Sequence, residues 1–243
     1  MMLQNTCTWE KIEAIGILTL NNPPENLIEN PEFANKEIIE KIVSDPYLKG
    51  LIIKGAGRHF SAGADMDILK ELAKNKTILA NKLNAGKEII LIIESLKIPV
   101  IASISGVCFG AGLEIALACH VRFCSENALF AFPETNYGIM PGLGGTIMLS
   151  KLIGTGKATE LILSGEMINS QKAMELRLVD EIKPKKDLLN FTVNYLSKLT
   201  DDRNIEVIHS IMQSIHNSQT LTFEDALEEE TKLFCELAIK SMK

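Results

Sequence analysis

Two glutamates in glycine-rich surroundings have the residue type and the setting for acid–base chemistry. Glu114 closes segment 106–114, which contains three glycines, and Glu134 is the single charged residue of segment 133–146. A carboxylate buried alone among apolar and glycine residues has a raised pKa, which suits proton transfer near neutral pH. The plainer alternatives are a first-turn residue that stabilises a helix dipole for Glu114 and a solvated loop residue for Glu134.

Backbone amides near these segments are candidates for binding negative charge. Segment 106–114 lies between a strand-like run at 99–105 and a helix-like run at 113–119. Segment 59–67 forms a second junction of this kind, before a helix that begins near Met66. The first N–H groups of a helix have no intrahelical acceptor and lie at the positive end of its dipole. If the two junctions meet, they form an oxyanion hole; the spacing leaves open whether they meet or are only tight connections.

The elements that must position these residues alternate between strands and helices. Apolar, β-branched runs predict strands at 12–20, 51–53, 99–105, 121–124, 128–132 and 179–182. Apolar periodicity and capping residues predict helices at 31–43, 78–95, 144–153 and 157–163, and another that is N-capped by Ser170. Residues 185–243 carry helical signals throughout. This order predicts an α/β core followed by a helical C-terminal region.

Composition argues against several other classes of protein. The formal net charge is −6, so the chain has no basic footprint for nucleic acid. No apolar run approaches the roughly 20 residues that span a membrane, and residues 1–8 lack the pattern of a signal peptide. The five cysteines show no CxxC spacing and the four histidines show no metal-ligand spacing. These features predict a cytoplasmic protein with reduced thiols and no metal site.

Four motifs, taken in order, resemble those of one family. They are Leu20-Asn21-Asn22-Pro23, Phe60-Ser61-Ala62-Gly63-Ala64-Asp65, Gly110-Ala111-Gly112-Leu113-Glu114, and Pro133-Glu134 followed by Gly144-Gly145-Thr146. Each motif alone is weak, whereas their order, spacing and strand–loop–helix setting are specific. The chain is similar to the crotonase superfamily, also called the enoyl-CoA hydratase/isomerase family, over about residues 15–182.

This resemblance implies a fold, a substrate class and an assembly. The implied fold is an α/β spiral of ββα units, the ClpP/crotonase-like fold, in residues 1–184, followed by a helical trimerisation region at 185–243. The implied substrate is an acyl thioester, with coenzyme A as part of the substrate and no separate cofactor. The implied partner is a second copy of the chain, in a homotrimer or a dimer of trimers. Neither nucleic acid nor a membrane is an expected partner.

The resemblance also assigns roles to individual residues. The backbone N–H groups of Ala64 and Ala111 would form the oxyanion hole for the thioester carbonyl, and Glu114 and Glu134 would position a water molecule. Glu134 would also exchange a proton at the α-carbon of the substrate. The other predicted substrate contacts are Ala62, Gly63, Asp65, Met66, Gly110, Gly112, Pro133 and Gly142. The acyl tail is expected against Leu69, Leu72, Ile78, Leu79 and residues 140–143, and subunit packing is expected on Phe223, Leu227, Leu233, Phe234 and Leu237.

The presence of both glutamates predicts a hydratase, which adds water reversibly across a 2-enoyl thioester. One alternative within the family is an isomerase of 3-enoyl and 2-enoyl thioesters that works with Glu134 alone. A non-enzymatic alternative is a trimeric scaffold on the same fold, and the two glutamates argue against it. His120 stands where many members have Asp, and it is expected to make a structural hydrogen bond.

The sequence departs from the family pattern in three places, and the last two bear on the substrate carrier. Ala111 replaces a glycine, which keeps the N–H but adds a methyl group near the substrate. Segment 22–27 lacks the basic residue that members often have near the adenosine phosphates, and the chain ends at Lys243 without their basic tail. Sequence drift or a trimmed terminus explains the last two departures. The alternative is an acyl group on a carrier-protein phosphopantetheine, as in polyketide biosynthesis.

Overall fold

The computed structural model describes residues 7–242. Residues 1–6, on which most of the signal-peptide prediction rests, and Lys243 lie outside the described residues. In chain order the strands are β1 (Cys7–Ile12), β2 (Ile15–Leu20), β3 (Gly50–Gly55), β4 (Val100–Ile104), β5 (Val107–Phe109), β6 (Val121–Ser125), β7 (Leu129–Ala131), β8 (Ile168–Asn169) and β9 (Glu181–Lys183). The helices are α1 (Lys36–Ser44), α2 (Met66–Ala73), α3 (Lys76–Glu94), α4 (Ala111–Ala118), α5 (Gly145–Ile153), α6 (Thr155–Ser164), α7 (Ser170–Glu175), α8 (Leu188–Thr200), α9 (Ile205–Thr220) and α10 (Phe223–Ser241), with a 3-10 helix at Pro133–Tyr137.

Two sheets organise the described residues. The larger one has the order β1-β2-β3-β4-β6-β9, in which β1 and β2 form an antiparallel hairpin and the other pairs are parallel. The smaller one has the order β5-β7-β8. Every residue of β2 and β4 is buried, because helices or loops cover both faces of the parallel sheet. Consequently these strands are short apolar runs, which is why the sequence pattern locates them.

The three helices of the predicted C-terminal region pack in different places. Leu188 and Leu196 of α8 lie against Ile17, Ile52 and Ile101, on one face of the larger sheet. Helix α9 contributes Ile208 to the main hydrophobic core, with Ile205 and Met212 packed against it, and α10 packs on α9. Helices α8 and α9 therefore both contact the core, and α10 is added through α9.

Local structure differs from the sequence prediction at the start of two helices. Helix α1 begins at Lys36 rather than at residue 31, with Asn35 as the N-cap that accepts from the Ile38 N–H at 2.9 Å. The preceding segment 31–34 is irregular, and Phe33 is fully buried in it. The N-cap of α7 is Asn169 and not Ser170, whose hydroxyl donates to the Glu126 carbonyl at 2.9 Å.

Three strands also escaped the sequence prediction: β1, β5 and the two-residue β8. Strand β1 alternates poorly, since it is an exposed edge strand in which Cys7 is buried and Glu10 and Lys11 face solvent. Strand β5 lies inside the glycine-rich segment that was expected to be a turn. It is three residues long, so its pairing depends on β7 and on no local pattern.

The structure also bears on the predictions for His120, for membrane-spanning helices and for metal ligands. The prediction for His120 is confirmed: its Nδ1 accepts from the Val100 N–H at 2.9 Å, and its Nε2 lies 3.1 Å from the Glu94 carbonyl. Over residues 7–242, no helix has the length and hydropathy to cross a membrane. The same residues hold no cluster of three or more potential metal ligands.

Candidate active site

A cavity of about 530 Å³ brings together the motifs that the sequence singled out. Its walls come from α2, α3, the 3-10 helix and the N-terminus of α4. The predicted residues that line it are Ala62, Gly63, Ala64, Asp65, Met66, Gly110, Ala111, Glu114, Pro133, Glu134 and Gly142. Gly112 is not among the lining residues of the described chain; a Cβ on it would lie 2.7 Å from the Cβ of Ser61, which it faces.

Glu134 has the protonation behaviour expected of an acid–base group. It lies in the first turn of the 3-10 helix, and its Oε2 is buried without a hydrogen-bond partner in residues 7–242. Gly110 allows its close approach to α4, because a Cβ at that position would lie 2.7 Å from Glu134 Oε1. Burial raises the pKa of Glu134 to about 7; its own backbone N–H opposes the rise, and the charge of Glu114 adds to it. Near neutral pH this group can both give and take a proton.

Glu114 is fixed in position by backbone amides. It lies in the first turn of α4 and is 1% exposed. The N–H groups of Leu143 and Gly145 each donate to its Oε1 at 2.7 Å. Burial raises the pKa of Glu114, and these amides oppose the rise because they stabilise the charged form. The carboxylate therefore has one orientation, held by the loop that precedes α5.

The chain around Ala64 is held so that its N–H stays free. The Ile28 N–H donates to the Gly63 carbonyl at 2.8 Å, and the Asp65 N–H donates to the Ile28 carbonyl at 3.0 Å. Since successive residues of an extended chain face opposite sides, this bridge directs the Ala64 N–H away from Ile28. Ala64 lines the cavity, and no acceptor for its N–H occurs within the described residues.

A second free amide belongs to Ala111, the first residue of α4. Its N–H has no intrahelical acceptor and no other acceptor in the part of the chain that the structure describes. Gly63 brings the two junctions together: its φ is +98°, and a Cβ on it would lie 3.0 Å from the Phe109 carbonyl oxygen and 3.7 Å from the Ala111 nitrogen. The two junctions, whose meeting the spacing left open, are therefore adjacent, and Ala64 and Ala111 line one cavity.

The remaining wall of the cavity is mostly apolar. The residues expected to meet an acyl tail that do line it are Leu69, Leu72, Leu79, Met140, Gly142 and Leu143. Ile78 does not line this cavity; it is 49% exposed and faces a separate open groove. The cavity is also lined by residues that the sequence did not predict, which are Leu27, Ile28, Glu29, Pro31, Asp67, Ile68, Ala73, Leu83, Tyr137 and Ile139.

A local sequence pattern indicates some of these lining residues and not others. Leu83 lies one helical turn after Leu79 on the same face of α3, so helical periodicity indicates it. Ile28 reaches the cavity through its bridge to Ala64. No local pattern signals such a bridge.

This arrangement suits reactions of a carbonyl compound. Two N–H donors that face one point stabilise negative charge developing on an oxygen atom. The charge of Glu114 contributes to the raised pKa of Glu134, so the protonation of Glu134 depends on that of Glu114. The mostly apolar lining favours a low local dielectric constant, in which these electrostatic interactions are stronger. The site can therefore polarise a carbonyl and move protons at the neighbouring carbons.

Comparison with known proteins agrees with this chemistry. Residues 10–242 match the family model described as enoyl-CoA hydratase/isomerase. A probable enoyl-CoA hydratase of Bacillus subtilis is 34% identical over 226 residues, which cover 91% of this chain and 86% of that protein. A short-chain-enoyl-CoA hydratase of Clostridium acetobutylicum is 32% identical over 236 residues, covering 96% of this chain and 89% of the relative.

Other matches extend this comparison to larger proteins and to solved structures. The fatty acid oxidation complex subunit alpha of Shewanella amazonensis is 37% identical over 189 residues, and the match spans 74% of this chain but 26% of that subunit. The crystal structure of an enoyl-CoA hydratase from Polaromonas sp. JS666 superposes with a TM-score of 0.87 at 26% identity, covering 95% of this chain and 90% of the other.

Proposed function

Because the chain belongs to the enoyl-CoA hydratase/isomerase family, we propose that it adds water reversibly across a 2-enoyl-CoA thioester, with Glu114 and Glu134 as its acid–base pair. One observation carries this proposal. Ala64 and Ala111, whose N–H groups have no acceptor within the described residues, line the same mostly apolar cavity as Glu114 and Glu134. An oxyanion hole by itself supports many reactions of thioesters, and the second carboxylate is what suits the addition of water.

In this proposal the thioester carbonyl oxygen accepts hydrogen bonds from the N–H groups of Ala64 and Ala111. These bonds shorten and strengthen as the carbonyl becomes an enolate, so they stabilise the transition state more than the ground state. One such donor contributes roughly 3–4 kcal/mol to catalysis in well-studied cases. The helix dipole of α4 adds to this stabilisation, since Ala111 is at its positive end.

The two carboxylates then act on opposite ends of the double bond. Water, held by Glu114 and Glu134, forms a bond from its oxygen to the β-carbon, and its proton passes to the carboxylate of Glu114. Protonated Glu134 gives its proton to the α-carbon. The pair holds one proton before and after the step, so one protonation state serves both directions of the reaction. The pKa of about 7 for Glu134 supports its role as the proton donor.

The test is loss of the enoyl thioester absorbance with crotonyl-CoA, measured for the native protein beside Glu114→Gln and Glu134→Gln. We expect turnover to collapse in both variants. Glu160→Gln changes an exposed glutamate paired with Lys157 and serves as the control. Survival of activity in Glu114→Gln would favour the isomerase, and an inactive native protein would direct the search to carrier-protein thioesters and then to the scaffold.

We further propose that the reaction needs no cofactor besides the coenzyme A portion of the substrate. Two amides and two carboxylates supply charge stabilisation and proton transfer. Incubation with EDTA should therefore leave the rate unchanged.

We also propose that the protein works in a reducing compartment such as the cytoplasm. The four buried cysteines are free, as is the exposed Cys235, which supports this proposal.

We also propose that copies of the chain associate, as a homotrimer or a dimer of trimers. Helix α10 supports this, because Phe223, Leu227 and Phe234 are exposed on it at 74%, 47% and 69%. Exposed apolar faces of this kind are typical of interfaces between subunits. Light scattering in solution should give a mass of three or six chains, and a monomer would contradict the proposal.

A further inference from the structure

The main chain of Ser61 joins the two segments that carry the free amides. The Phe109 N–H donates to the Ser61 carbonyl at 2.9 Å, and the Ser61 N–H donates to the Val107 carbonyl at 3.2 Å. This bridge pairs Ser61 with Cys108, so it lies three residues before Ala64 on one segment and three residues before Ala111 on the other. The relative position of the two amides therefore depends on the geometry at Ser61.

The Ser61 hydroxyl closes the turn that leads to Ala64. It donates to the Asn26 carbonyl at 2.7 Å and accepts from the Gly63 N–H at 3.1 Å. Asn26 is itself fully buried at a positive φ of 52°, and its side-chain amide donates to the carbonyls of Ala56 and His59 at 2.9 and 2.8 Å. The hydroxyl thus attaches the Ala64 turn to a rigid, fully hydrogen-bonded support.

The same side chain also contacts the N-terminus of α4. A Cβ on Gly112 would lie 2.7 Å from Ser61 Cβ and 3.0 Å from Ser61 Oγ. The helix therefore lies so close to Ser61 that only a glycine fits at position 112. Gly112 directly follows Ala111. One small side chain, fully buried, therefore touches both amide-bearing segments.

We propose that Ser61 is a positioning residue, whose hydroxyl and small size set the separation and direction of the Ala64 and Ala111 amides at the substrate carbonyl. The proposal rests on the proposed function. Ser61 touches no reacting atom, and acts through the two amides. A hydroxyl in this position keeps the turn closed while leaving room for α4, which larger side chains cannot do.

The first test compares Ser61→Ala with Ser170→Ala. Ser170 is also fully buried, and its hydroxyl also donates to a backbone carbonyl, that of Glu126, but it does not line the cavity. We expect Ser61→Ala to lower kcat on the order of 10- to 100-fold with a smaller change in KM, because amides displaced by a fraction of an ångström bind the transition state poorly. Ser170→Ala should leave both constants unchanged.

A spectroscopic measurement distinguishes a positioning role of Ser61 from a role in protein stability. It also tests Ser61 independently of the proposed function. Butyryl-CoA labelled with 13C at the carbonyl binds without reacting, and its C=O stretching band moves to lower wavenumber when the oxyanion hole polarises it. The shift should be smaller in Ser61→Ala than in the native protein and in Ser170→Ala. An unchanged band in folded Ser61→Ala would overturn the proposal. The band needs no turnover, so it judges Ser61 even where hydration of crotonyl-CoA fails.

A second pair of variants applies if Ser61→Ala does not fold. Gly112→Ala places a methyl group against Ser61, and Gly156→Ala makes the same change at the second residue of α6, where no atom lies within 4 Å. Alanine favours both helices over glycine. We expect the smaller carbonyl shift in Gly112→Ala alone, and a native shift there would equally overturn the proposal.

Discussion

Replacement of Ala111 by proline removes one oxyanion-hole donor while keeping the helix that carries it. Ala111 is the first residue of α4, where the N–H has no intrahelical acceptor and proline is well tolerated. Its N–H has no acceptor elsewhere in the described residues. The change should therefore act on catalysis and leave helix stability nearly unaltered.

The expected size of the effect follows from the missing hydrogen bond. Loss of one oxyanion-hole donor costs about 2.7–4 kcal/mol, which corresponds to roughly 10²–10³-fold in kcat. The proline ring also occupies the direction in which the N–H pointed, so the carbonyl oxygen finds neither a donor nor space. Crotonyl-CoA hydration, followed by absorbance at saturating and limiting substrate, measures the loss.

Thr155→Pro is a matched control on another helix. Thr155 is the first residue of α6 and follows Gly154, a glycine N-cap at positive φ, just as Ala111 follows Gly110. It is exposed and does not line the cavity. Both variants should unfold thermally near the native temperature. If Ala111→Pro is folded and hydrates crotonyl-CoA as fast as Thr155→Pro, the assignment of the Ala111 amide to the oxyanion hole is wrong.

Three further predictions test the carboxylates and the core. Gly110→Ala places a Cβ 2.7 Å from Glu134 Oε1 and should lower kcat/KM about 100-fold, whereas Gly57→Ala, also at positive φ but with nothing within 4 Å, should affect only stability. Above about pH 7, kcat/KM for hydration should fall as Glu134 loses the proton that it must donate. The residual activity of Glu114→Gln should fall from a lower pH, because the charge that raises the pKa of Glu134 is gone; an unmoved pH profile would contradict the coupling. Leu51→Ala should lower the free energy of unfolding by about 2–5 kcal/mol in urea titrations, since Leu51 is fully buried in β3.

Sequence reasoning located the charged parts of the site better than its backbone parts. Glu114 and Glu134 stand out because a carboxylate among glycines and apolar residues needs an explanation. The meeting of Ala64 and Ala111 was not predictable from spacing, because they are far apart in sequence and meet through an isolated bridge between Ser61 and Cys108. A single bridge leaves no periodic pattern in the sequence.

The prediction of the fold likewise succeeded for some elements and failed for others. Fully buried strands such as β4 form continuous apolar runs, so their positions were predictable. Strand β1 was missed because an exposed edge strand mixes polar and apolar residues. The start of α1 was misplaced because the sequence offers two possible N-caps, and Asn35 caps the helix instead of Asn30. The positions of these elements depend on tertiary packing, which cannot be inferred from a short stretch of sequence.

Leu143 connects the apolar wall of the cavity to the carboxylate of Glu114. It lines the cavity, and its own N–H donates to Glu114. If an acyl tail packs on this wall, a tail that displaces Leu143 would displace Glu114 as well. The enzyme would then distinguish acyl groups by how fast they react as well as by how tightly they bind. Selection for a new tail preference at Leu143 would in that case act on turnover too.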